Sequence, residues 1–533
     1  MARNLGWIVA TLALGLPRLA AAEVIEVGPA DDVEAAINAA QPGDEIVLAD
    51  GMYMLTERFS FDIAGTETDP IIIRAADGAV PHLHRPDASQ NIIDIDGAVW
   101  VEVRGIEFSG GSAGIRISAA DHLTIADCDI HDTNDVALRA NDGGVLYESL
   151  HIVGNHIHDT NNTGEGMYLG CNDNGCQVAN SVIERNYVHH TNNPKTITQG
   201  DGIELKEGSY GNVIADNVIH DTNYPCILTY SAVGNGPANI VERNVMWNCG
   251  DHGIQSSADA VIRNNIVLSA NQNGIAMQSH QSGAPAGLVV VHNTILQATN
   301  DGISLRDQVG PVVIANNAIY AETGNAIFIR GGDPSELTIA GNVGQGGLAG
   351  GDGSGYVDGD LVADLLDGHF GGAPPIDVFP APGGGLVDAG DPAHAVDDDF
   401  NTLSRGAMVD VGAYAFDPAG NPGWSIAAEF KEFPDDDGGG ETGGEDTGSD
   451  ETGLPGDDGG THAEDGVDSA LDGVDEGPGT GVTSDTDTSA PAQDDGNSGG
   501  SCECRASGQS PSDAWWLAVV MLGLTRRPRR RRR

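Results

Sequence analysis

The chain has 533 residues, and its 79 acidic side chains against 25 basic ones give a formal net charge of −54 at pH 7. Charge of this sign and size repels nucleic acid and anionic membrane surfaces, so neither is expected as a partner. It also repels polyanionic sugars unless divalent cations lie between sugar and protein, which makes Ca²⁺ an expected companion of such binding.

Residues 1–22 have the layout of a secretory signal peptide. Arg3 precedes an apolar run, and the small residues Ala20 to Ala22 come directly before Glu23. We therefore expect an exported protein whose folded part begins near Glu23.

Export permits disulfides, and the chain has seven cysteines. Cys171 and Cys176 close the short loop GCNDNGC and are predicted to pair. The other cysteines of the central region, Cys128, Cys226 and Cys249, are interpreted as mostly buried small apolar residues.

The folded part opens with a short helix. In residues 33–40 (VEAAINAA) the apolar residues follow helical spacing, and the next segment, QPGDEIVLADGMY, predicts a turn and then a strand.

From Asn155 to Asn342 the chain repeats an asparagine at the bend between two short, alternating apolar strands. The asparagines lie 31, 31, 27, 21, 28, 24 and 25 residues apart, and are Asn155, Asn186, Asn217, Asn244, Asn265, Asn293, Asn317 and Asn342. A variable step near 25 residues fits a coil of three short strands, whereas helical solenoids repeat at about 33 to 47 residues. Asparagine tolerates left-handed backbone geometry at a bend, and its amide can bind the same group one coil away. The sequence therefore predicts an all-β protein, a right-handed parallel β-helix with an internal asparagine ladder and an N-terminal capping helix, over residues 23–434.

Residues 24–416 resemble the pectate-lyase-like superfamily of right-handed parallel β-helices. The opening segment, with GTETDPIIIRA (65–75) and VWVEVRGIEFSGG (99–111), is similar to the start of polysaccharide lyase family 6, which contains alginate lyases and chondroitinase B. At the other end, VDAGDP (387–392) and VDVGAYAF (409–416) resemble the closing segment of many extracellular β-helix proteins.

The last hundred residues predict a stalk and an anchor. Residues 435–501 are rich in Gly, Asp, Glu, Thr and Ser and predict a disordered acidic linker. Residues 502–533 hold two cysteines, a short apolar run and a terminal Arg cluster, which together resemble the MYXO-CTERM sorting tail. The resemblance implies display at the cell surface or outer membrane, through the cell envelope; a plain single-pass anchor is the alternative.

The third strand of each coil begins with a small residue and an inward apolar one, as in GIEL (202–205), and builds the face that binds polymers in the pectate-lyase-like group. Its first outward column is Arg116, Arg139, Tyr168, Glu204, Leu228, Gln255, Ala276, Ser304 and Phe328. Its second outward column is Ser118, Asn141, Gly170, Lys206, Tyr230, Ser257, Gln278, Arg306 and Arg330. Flat rings and charges concentrate in neighbouring coils, as a sugar groove requires. The predicted substrate-binding residues are Arg139, Tyr168, Glu204 and Gln255.

Lysis of a uronate polymer removes the C5 proton and needs a base and a group that neutralises the carboxylate, commonly Ca²⁺. Resemblance to family 6 implies Asp201 as a calcium ligand five residues before the catalytic Lys206, and Lys206 with EGSYGN resembles the Lys segment of family 9 pectate lyases. Glu204 is a second candidate ligand. The chain departs from family 6 where Tyr230 replaces an Arg and Gln199 replaces an acidic ligand, and Tyr230 joins Lys206 as a candidate catalytic residue.

A histidine recurs at one phase of the second strand, usually with Asp after it: His131-Asp132, His158-Asp159, His189-His190 and His220-Asp221. Recurrence coil after coil predicts a structural stack at a turn, with a metal or acid–base role as the alternative.

The function that these patterns favour is that of a monomeric cell-surface protein acting on an extracellular polysaccharide, as a Ca²⁺-dependent lyase of uronate polymers. Two alternatives stay open, a non-catalytic carbohydrate-binding or adhesive protein and a C5-epimerase, which shares abstraction of the C5 proton. If Glu204 and Lys206 are only a surface ion pair, the non-catalytic alternative is favoured.

Overall fold

Short strands follow one another along most of the chain in the computed structural model, which describes residues 22–193 and 199–433. They form parallel sheets of 26 and 13 strands and one antiparallel pair. The predicted right-handed parallel β-helix is confirmed.

The strands in chain order are β1 (Val24–Val27), β2 (Glu45–Leu48), β3 (Gly51–Met54), β4 (Ser60–Ala64), β5 (Ile71–Ala75), β6 (Pro81–Arg85), β7 (Ile93–Arg104), β8 (Glu107–Gly110), β9 (Ile115–Ile117), β10 (Ala120–Ala126), β11 (Asp129–His131), β12 (Leu138–Ala140), β13 (Leu146–Glu148), β14 (His151–Val153), β15 (His156–His158), β16 (Met167–Leu169), β17 (Gln177–Ala179), β18 (Val182–Glu184), β19 (Tyr187–His189), β20 (Ile203–Leu205), β21 (Val213–Ala215), β22 (Val218–His220), β23 (Ile227–Thr229), β24 (Asn239–Glu242), β25 (Val245–Cys249), β26 (Ile254–Ser256), β27 (Ala260–Arg263), β28 (Ile266–Ala270), β29 (Ile275–Met277), β30 (Leu288–Val291), β31 (Thr294–Gln297), β32 (Ile303–Arg306), β33 (Val312–Ala315), β34 (Ala318–Ala321), β35 (Ile327–Arg330), β36 (Leu337–Ala340), β37 (Asn342–Gln345), β38 (Leu348–Ala349), β39 (Tyr356–Asp358), β40 (Leu365–Asp367) and β41 (Asp377–Pro380). The α-helices are α1 (Val33–Ala39) and α2 (Leu361–Asp364).

Most coils contribute one strand to each of three rows, and two coils add a short strand, β13 or β17, ahead of their first-row strand. The first row, β10 and β14 onward, lies before the ladder asparagine, and the second row, the 13-stranded sheet, lies after it. The third row begins at β9 and β12, and the long strand β7 joins it to the first row by pairing with both. The three rows enclose one apolar core.

The predicted asparagine ladder is continuous. Each side-chain amide from Asn155 onward donates to Oδ1 of the asparagine on the next coil at 2.9–3.0 Å, as far as Asn342. Left-handed geometry, however, falls on the residue before each ladder asparagine, for example Asp216 (φ 58°) before Asn217. The asparagine itself stays in ordinary geometry because its amide must point along the stack.

The small residue that opens each third-row strand has a packing reason. A Cβ on Gly202 would lie 2.5 Å from the carbonyl oxygen of Cys226 on the next coil. Consecutive coils therefore approach at this corner more closely than a larger residue allows.

Helix α1 covers the first coil as predicted. Its N-cap Asp32 accepts a hydrogen bond from the Ala35 amide at 3.0 Å, and Val33 and Ile37 are buried against the core. The helix thus shields the dry interior and the strand edge at this end.

The cysteines differ in part from expectation. Cys171 and Cys176 are bonded (S–S 2.06 Å), and Cys128 is free and buried. Cys226 and Cys249, interpreted as apolar fillers, are instead bonded to each other. Both are buried as interpreted, but their pairing was not foreseen because they sit in different coils at positions that only the coil geometry brings together.

The closing segment does more than cover the end of the stack. Residues 361–426 pack along the outer face of the 13-stranded sheet, where Phe400, Val411 and Tyr414 join a second apolar cluster with Trp247 and Leu268. This half of the sheet is therefore buried on both faces.

Three sequence predictions lie outside the described residues: the signal peptide (1–22, of which only Ala22 is described), the linker (435–501) and the tail (502–533). Within the described ranges, no helix has the length and apolarity needed to span a membrane.

Candidate functional site

The third row has the predicted register. Strand by strand, the first outward column pairs Arg116 with Arg139, then Tyr168, Glu204, Leu228, Gln255, Ala276, Ser304 and Phe328. The repeat alone thus aligned the side chains of nine coils correctly.

The Lys206 ammonium group is the centre of the site. Its Nζ lies 2.5 Å from Glu204 Oε1 and 3.3 Å from the Tyr230 hydroxyl, which in turn donates to Glu204 at 3.2 Å. The rings of Tyr168 and Tyr230 flank the ammonium at 4.6 and 4.8 Å from their centroids. Strands β16, β20 and β23 therefore bring together four of the predicted site residues.

The charges of this group follow from its burial. Burial alone disfavours the ammonium ion, but the Glu204 carboxylate outweighs it and holds the pKa of Lys206 well above its ordinary value. Burial raises the pKa of Tyr168 to about 12, and burial also raises the pKa of Tyr230. In this arrangement Lys206 carries its proton and both tyrosines are neutral.

Two more buried carboxylates, Glu165 and Asp201, lie beside the Glu204–Lys206 ion pair. Oxygens of Glu165, Asp201 and Glu204 lie within 4.8 Å of one another. Burial, followed by repulsion from Glu204, raises the pKa of Glu165 to about 8 and that of Asp201 well above its ordinary value.

Glu165 was missed by the sequence reasoning. It precedes Gly166 at the start of β16 just as Asp201 precedes Gly202 at the start of β20, so it has the same phase one coil earlier. Reading the column before the small residue, as well as the outward columns after it, would have found it.

The carboxylate trio fits a hard divalent cation. Among the described residues, Glu165 Oε2 and Asp201 Oδ1 are buried without a hydrogen-bond partner. Unsatisfied buried oxygens with excess negative charge require protons or a cation, and all-oxygen ligand sets suit Ca²⁺. Glu165, Asp201 and Glu204 are the residues that would hold it.

A loop following β29, residues 278–287, lies across this face. Gln281 donates to Asn172 at 2.8 Å, the Ser282 amide donates to Glu207 at 3.0 Å, and His280 Nε2 lies 3.4 Å from the Tyr230 hydroxyl. The outward columns were expected to be open to a polymer, but Glu204, Lys206 and Tyr230 are only 4%, 5% and 3% exposed.

The remaining predicted contacts, Arg139 and Gln255, are directed elsewhere. Arg139 Nη2 donates to Asn91 at 3.4 Å, and Gln255 is buried and accepts from Gln278 at 3.4 Å. They flank the centre along the row rather than touching Lys206, and their roles stay predictions.

Comparisons with known proteins identify the fold. The family model described as "Right handed beta helix region" matches residues 84–198 and 191–310. No curated protein matches. Among solved structures, XylC in complex with xylose has a TM-score of 0.53 at 12% identity, covering 74% of this chain and 98% of that one.

Two further solved structures are less similar. Pectate lyase Pel9A has a TM-score of 0.46 at 14% identity, covering 74% of this chain and 96% of its own. The PL6 family polysaccharide lyase Pedsa3628 from Pseudopedobacter saltans has a TM-score of 0.40 at 16% identity, covering 63% and 86%. At these identities the likeness concerns the fold.

Proposed function

We propose that the protein is a Ca²⁺-dependent lyase that cleaves an extracellular uronate polymer by β-elimination on the third-row face. Glu165, Asp201 and Glu204 hold the cation, and Lys206 and Tyr230 move the protons.

One observation carries this proposal: the Lys206 ammonium touches a tyrosine hydroxyl and one of three clustered buried carboxylates, and the other two have unsatisfied oxygens. A purely structural ion pair needs one carboxylate, not three. Strongly perturbed groups clustered on one face are typical of functional sites.

The residues suit the chemistry of β-elimination, which removes the C5 proton and breaks the bond from C4 to the leaving oxygen. A cation held by the trio, when bound, neutralises the uronate carboxylate and makes the C5 proton more acidic. Neutral Lys206 accepts the C5 proton. Lys206 loses its own proton more readily when a bound cation shares the negative charge of Glu204, because this carboxylate otherwise raises the pKa of Lys206. The Tyr230 hydroxyl, 3.3 Å from Lys206, donates a proton to the leaving oxygen and recovers one from Lys206.

Binding without cleavage is the second candidate function. The loop over the face and the tight Glu204–Lys206 pair favour it, because they keep Lys206 protonated and covered. A C5-epimerase is the third, since it needs the same proton abstraction without bond cleavage.

The test is an assay of the full chain on alginate, pectate and chondroitin polymers, following the ultraviolet absorbance of the unsaturated product with Ca²⁺ or with EDTA. We expect Ca²⁺-dependent product that Lys206→Ala and Glu165→Gln abolish. Arg306→Ala, from the second outward column but farther along the row, is the matched control and keeps activity.

Absence of product from every polymer contradicts the lyase proposal. In that case, deuterium uptake at C5 from heavy water indicates an epimerase, and retention of polymer without deuterium uptake indicates a binding protein.

We also propose that the protein is exported and displayed on the cell surface, on the strength of residues 1–22 and 502–533. Two disulfides in the described chain are compatible with an oxidising compartment. Protease treatment of intact cells should degrade the β-helix; full protection of the chain contradicts display.

A further inference from the structure

The recurring histidines form a stack on the outer face of the 13-stranded sheet. The rings of His131, His158, His189 and His220 follow one another at 5.0–5.1 Å with interplanar angles of 4–16°, and Trp247 continues the stack at 4.5 Å. The predicted structural stack is thus present, on the last residue of each second-row strand rather than in the turn itself.

One histidine does not belong to this stack. His156 opens β15, in register with Asp129 and Tyr187 on the adjacent coils. Its Nε2 lies 2.9 Å from Nε2 of His189, and its ring centroid lies 4.2 Å from that of His158. The His156 ring stacks on that of Tyr187, with centroids 5.1 Å apart and an interplanar angle of 4°, so its face is packed while its Nε2 meets His189.

We propose that His156, His158 and His189, the imidazole trio, bind a divalent transition-metal ion of the Zn²⁺ class. One nitrogen from each ring lies within 4.8 Å of the other two. Ligand nitrogens of a tetrahedral zinc ion lie about 3.3 Å apart, so side-chain shifts of about 1.5 Å or less would complete the geometry. Imidazole ligands select Zn²⁺, Cu²⁺, Ni²⁺ or Co²⁺ over Ca²⁺ and Mg²⁺.

The neighbours of the trio resemble the outer contacts that orient metal-binding histidines. His158 Nδ1 lies 2.8 Å from Asp159 Oδ2, and its Nε2 lies 3.2 Å from Asp129 Oδ1. Asp129 Oδ1 also lies 3.3 Å from Nδ1 of His156. A carboxylate on the nitrogen that does not bind the metal, as Asp159 is on Nδ1 of His158, holds the ring in the orientation that a metal requires. At Nε2 of His158 the ion would replace the contact with Asp129.

Two imidazole nitrogens that face each other at 2.9 Å, as in His156 and His189, satisfy each other only by sharing a proton. An ion bound by both rings would replace this hydrogen bond with two metal–nitrogen bonds.

The trio is accessible from solvent. The side chains of His156 and His158 are 29% and 18% exposed. A cleft of about 450 Å³, bordered by Asp129, His156, Arg185 and Phe430, opens beside it. The Phe430 ring, four residues after the closing segment, lies edge-on to His156 with centroids 6.1 Å apart. An ion can therefore enter and keep a position open toward the cleft.

A neighbouring group, His82, Glu107 and His131, has similar spacing but does not carry the same inference. It offers two imidazoles and one carboxylate instead of three imidazoles, and His82 Nε2 lies 2.6 Å from the Ser109 hydroxyl. It provides an internal control on the same sheet.

The test is titration of the full chain, without an affinity tag and stripped of metal, with Zn²⁺ and Co²⁺. We expect one ion per chain outside the tail, with affinity reduced about a hundredfold or more by His158→Gln or His189→Gln, since even outer-contact changes cost about 10- to 100-fold. His220→Gln, from the stack, and His82→Gln, from the neighbouring group, are matched controls and keep the affinity.

The Co²⁺ spectrum separates the trio from the cysteines of the tail, because imidazole ligation lacks a thiolate charge-transfer band. Where His189→Gln does not fold, as judged by circular dichroism, His156→Gln decides, since the His156 side chain is more exposed than that of His158 (29% against 18%). Failure to bind Zn²⁺ at micromolar concentration, or binding that His156→Gln and His158→Gln leave unchanged, overturns the proposal.

Discussion

Two outer faces of the same coils carry different ionisable groups, carboxylates on one and imidazoles on the other. On the third row, Glu165, Asp201 and Glu204 crowd around Lys206 beneath a loop. On the second row, His156 and His158 lie partly open to solvent. Adjacent strands lie about 4.8 Å apart, so side chains at the same phase of successive coils lie next to one another.

The consequence of that stacking depends on charge. Neutral rings stack favourably, whereas stacked carboxylates repel and desolvate one another unless a cation or proton joins them. One scaffold can thus hold an oxygen site and a nitrogen site on different faces, and the following predictions separate them.

The largest expected effect comes from breaking the framework that both faces share. Asn217 accepts from the Asn186 amide and donates to Asn244, with no exposed surface. We expect Asn217→Ala to lower the free energy of unfolding by about 4 kcal/mol, because several buried polar groups lose their partners. Chemical unfolding checks this, with the exposed Asn248→Ala as control; equal midpoints for the two variants contradict it.

Replacing the Lys206 side chain should lower the free energy of unfolding by slightly less. We expect Lys206→Met to destabilise the chain by about 3 kcal/mol in EDTA, because it leaves Glu204 buried with two other carboxyl groups and no cation. Added Ca²⁺ should recover part of this loss. Arg306→Met is the control, and unfolding measured with and without Ca²⁺ is the readout; a loss that Ca²⁺ does not change speaks against the trio as its site.

The two faces should respond to different metals. At a concentration one hundred times its dissociation constant, Ca²⁺ should stabilise the wild-type chain by about 2.7 kcal/mol. Glu165→Gln should remove this shift and leave the Zn²⁺ titration unchanged, whereas His158→Gln should do the reverse. Asp301→Asn, at the same phase as Asp201, is the control for calcium; loss of both responses in one variant would show that the two sites are not independent.

The smallest expected effect concerns the cover of the third-row face. Gln281→Ala removes the hydrogen bond to Asn172 and should cost about 0.5–1 kcal/mol. Hydrogen exchange should then quicken in residues 278–287 and stay unchanged around His189. Equal protection of the loop in both proteins would show that this contact does not hold it.

The sequence by itself determined the β-helix, the ladder, the register of the outward columns and the histidine stack. It could do so because each coil contacts mainly its two neighbours, so phase in the repeat translates directly into position. The phase of the repeat placed Glu204, Lys206 and Tyr230 on neighbouring coils for this reason, whereas Asp201 was predicted from the resemblance to family 6.

Only the tertiary structure decided what does not follow the period. The loop contact from Gln281 to Asn172 spans 109 residues and that from Ser282 to Glu207 spans 75, so neither has a signal in the repeat. The Cys226–Cys249 bond and the return of the closing segment along the sheet are of the same kind. Glu165 and His156 are intermediate cases: their phase is readable, but their significance arises from side chains that meet only when successive coils are stacked.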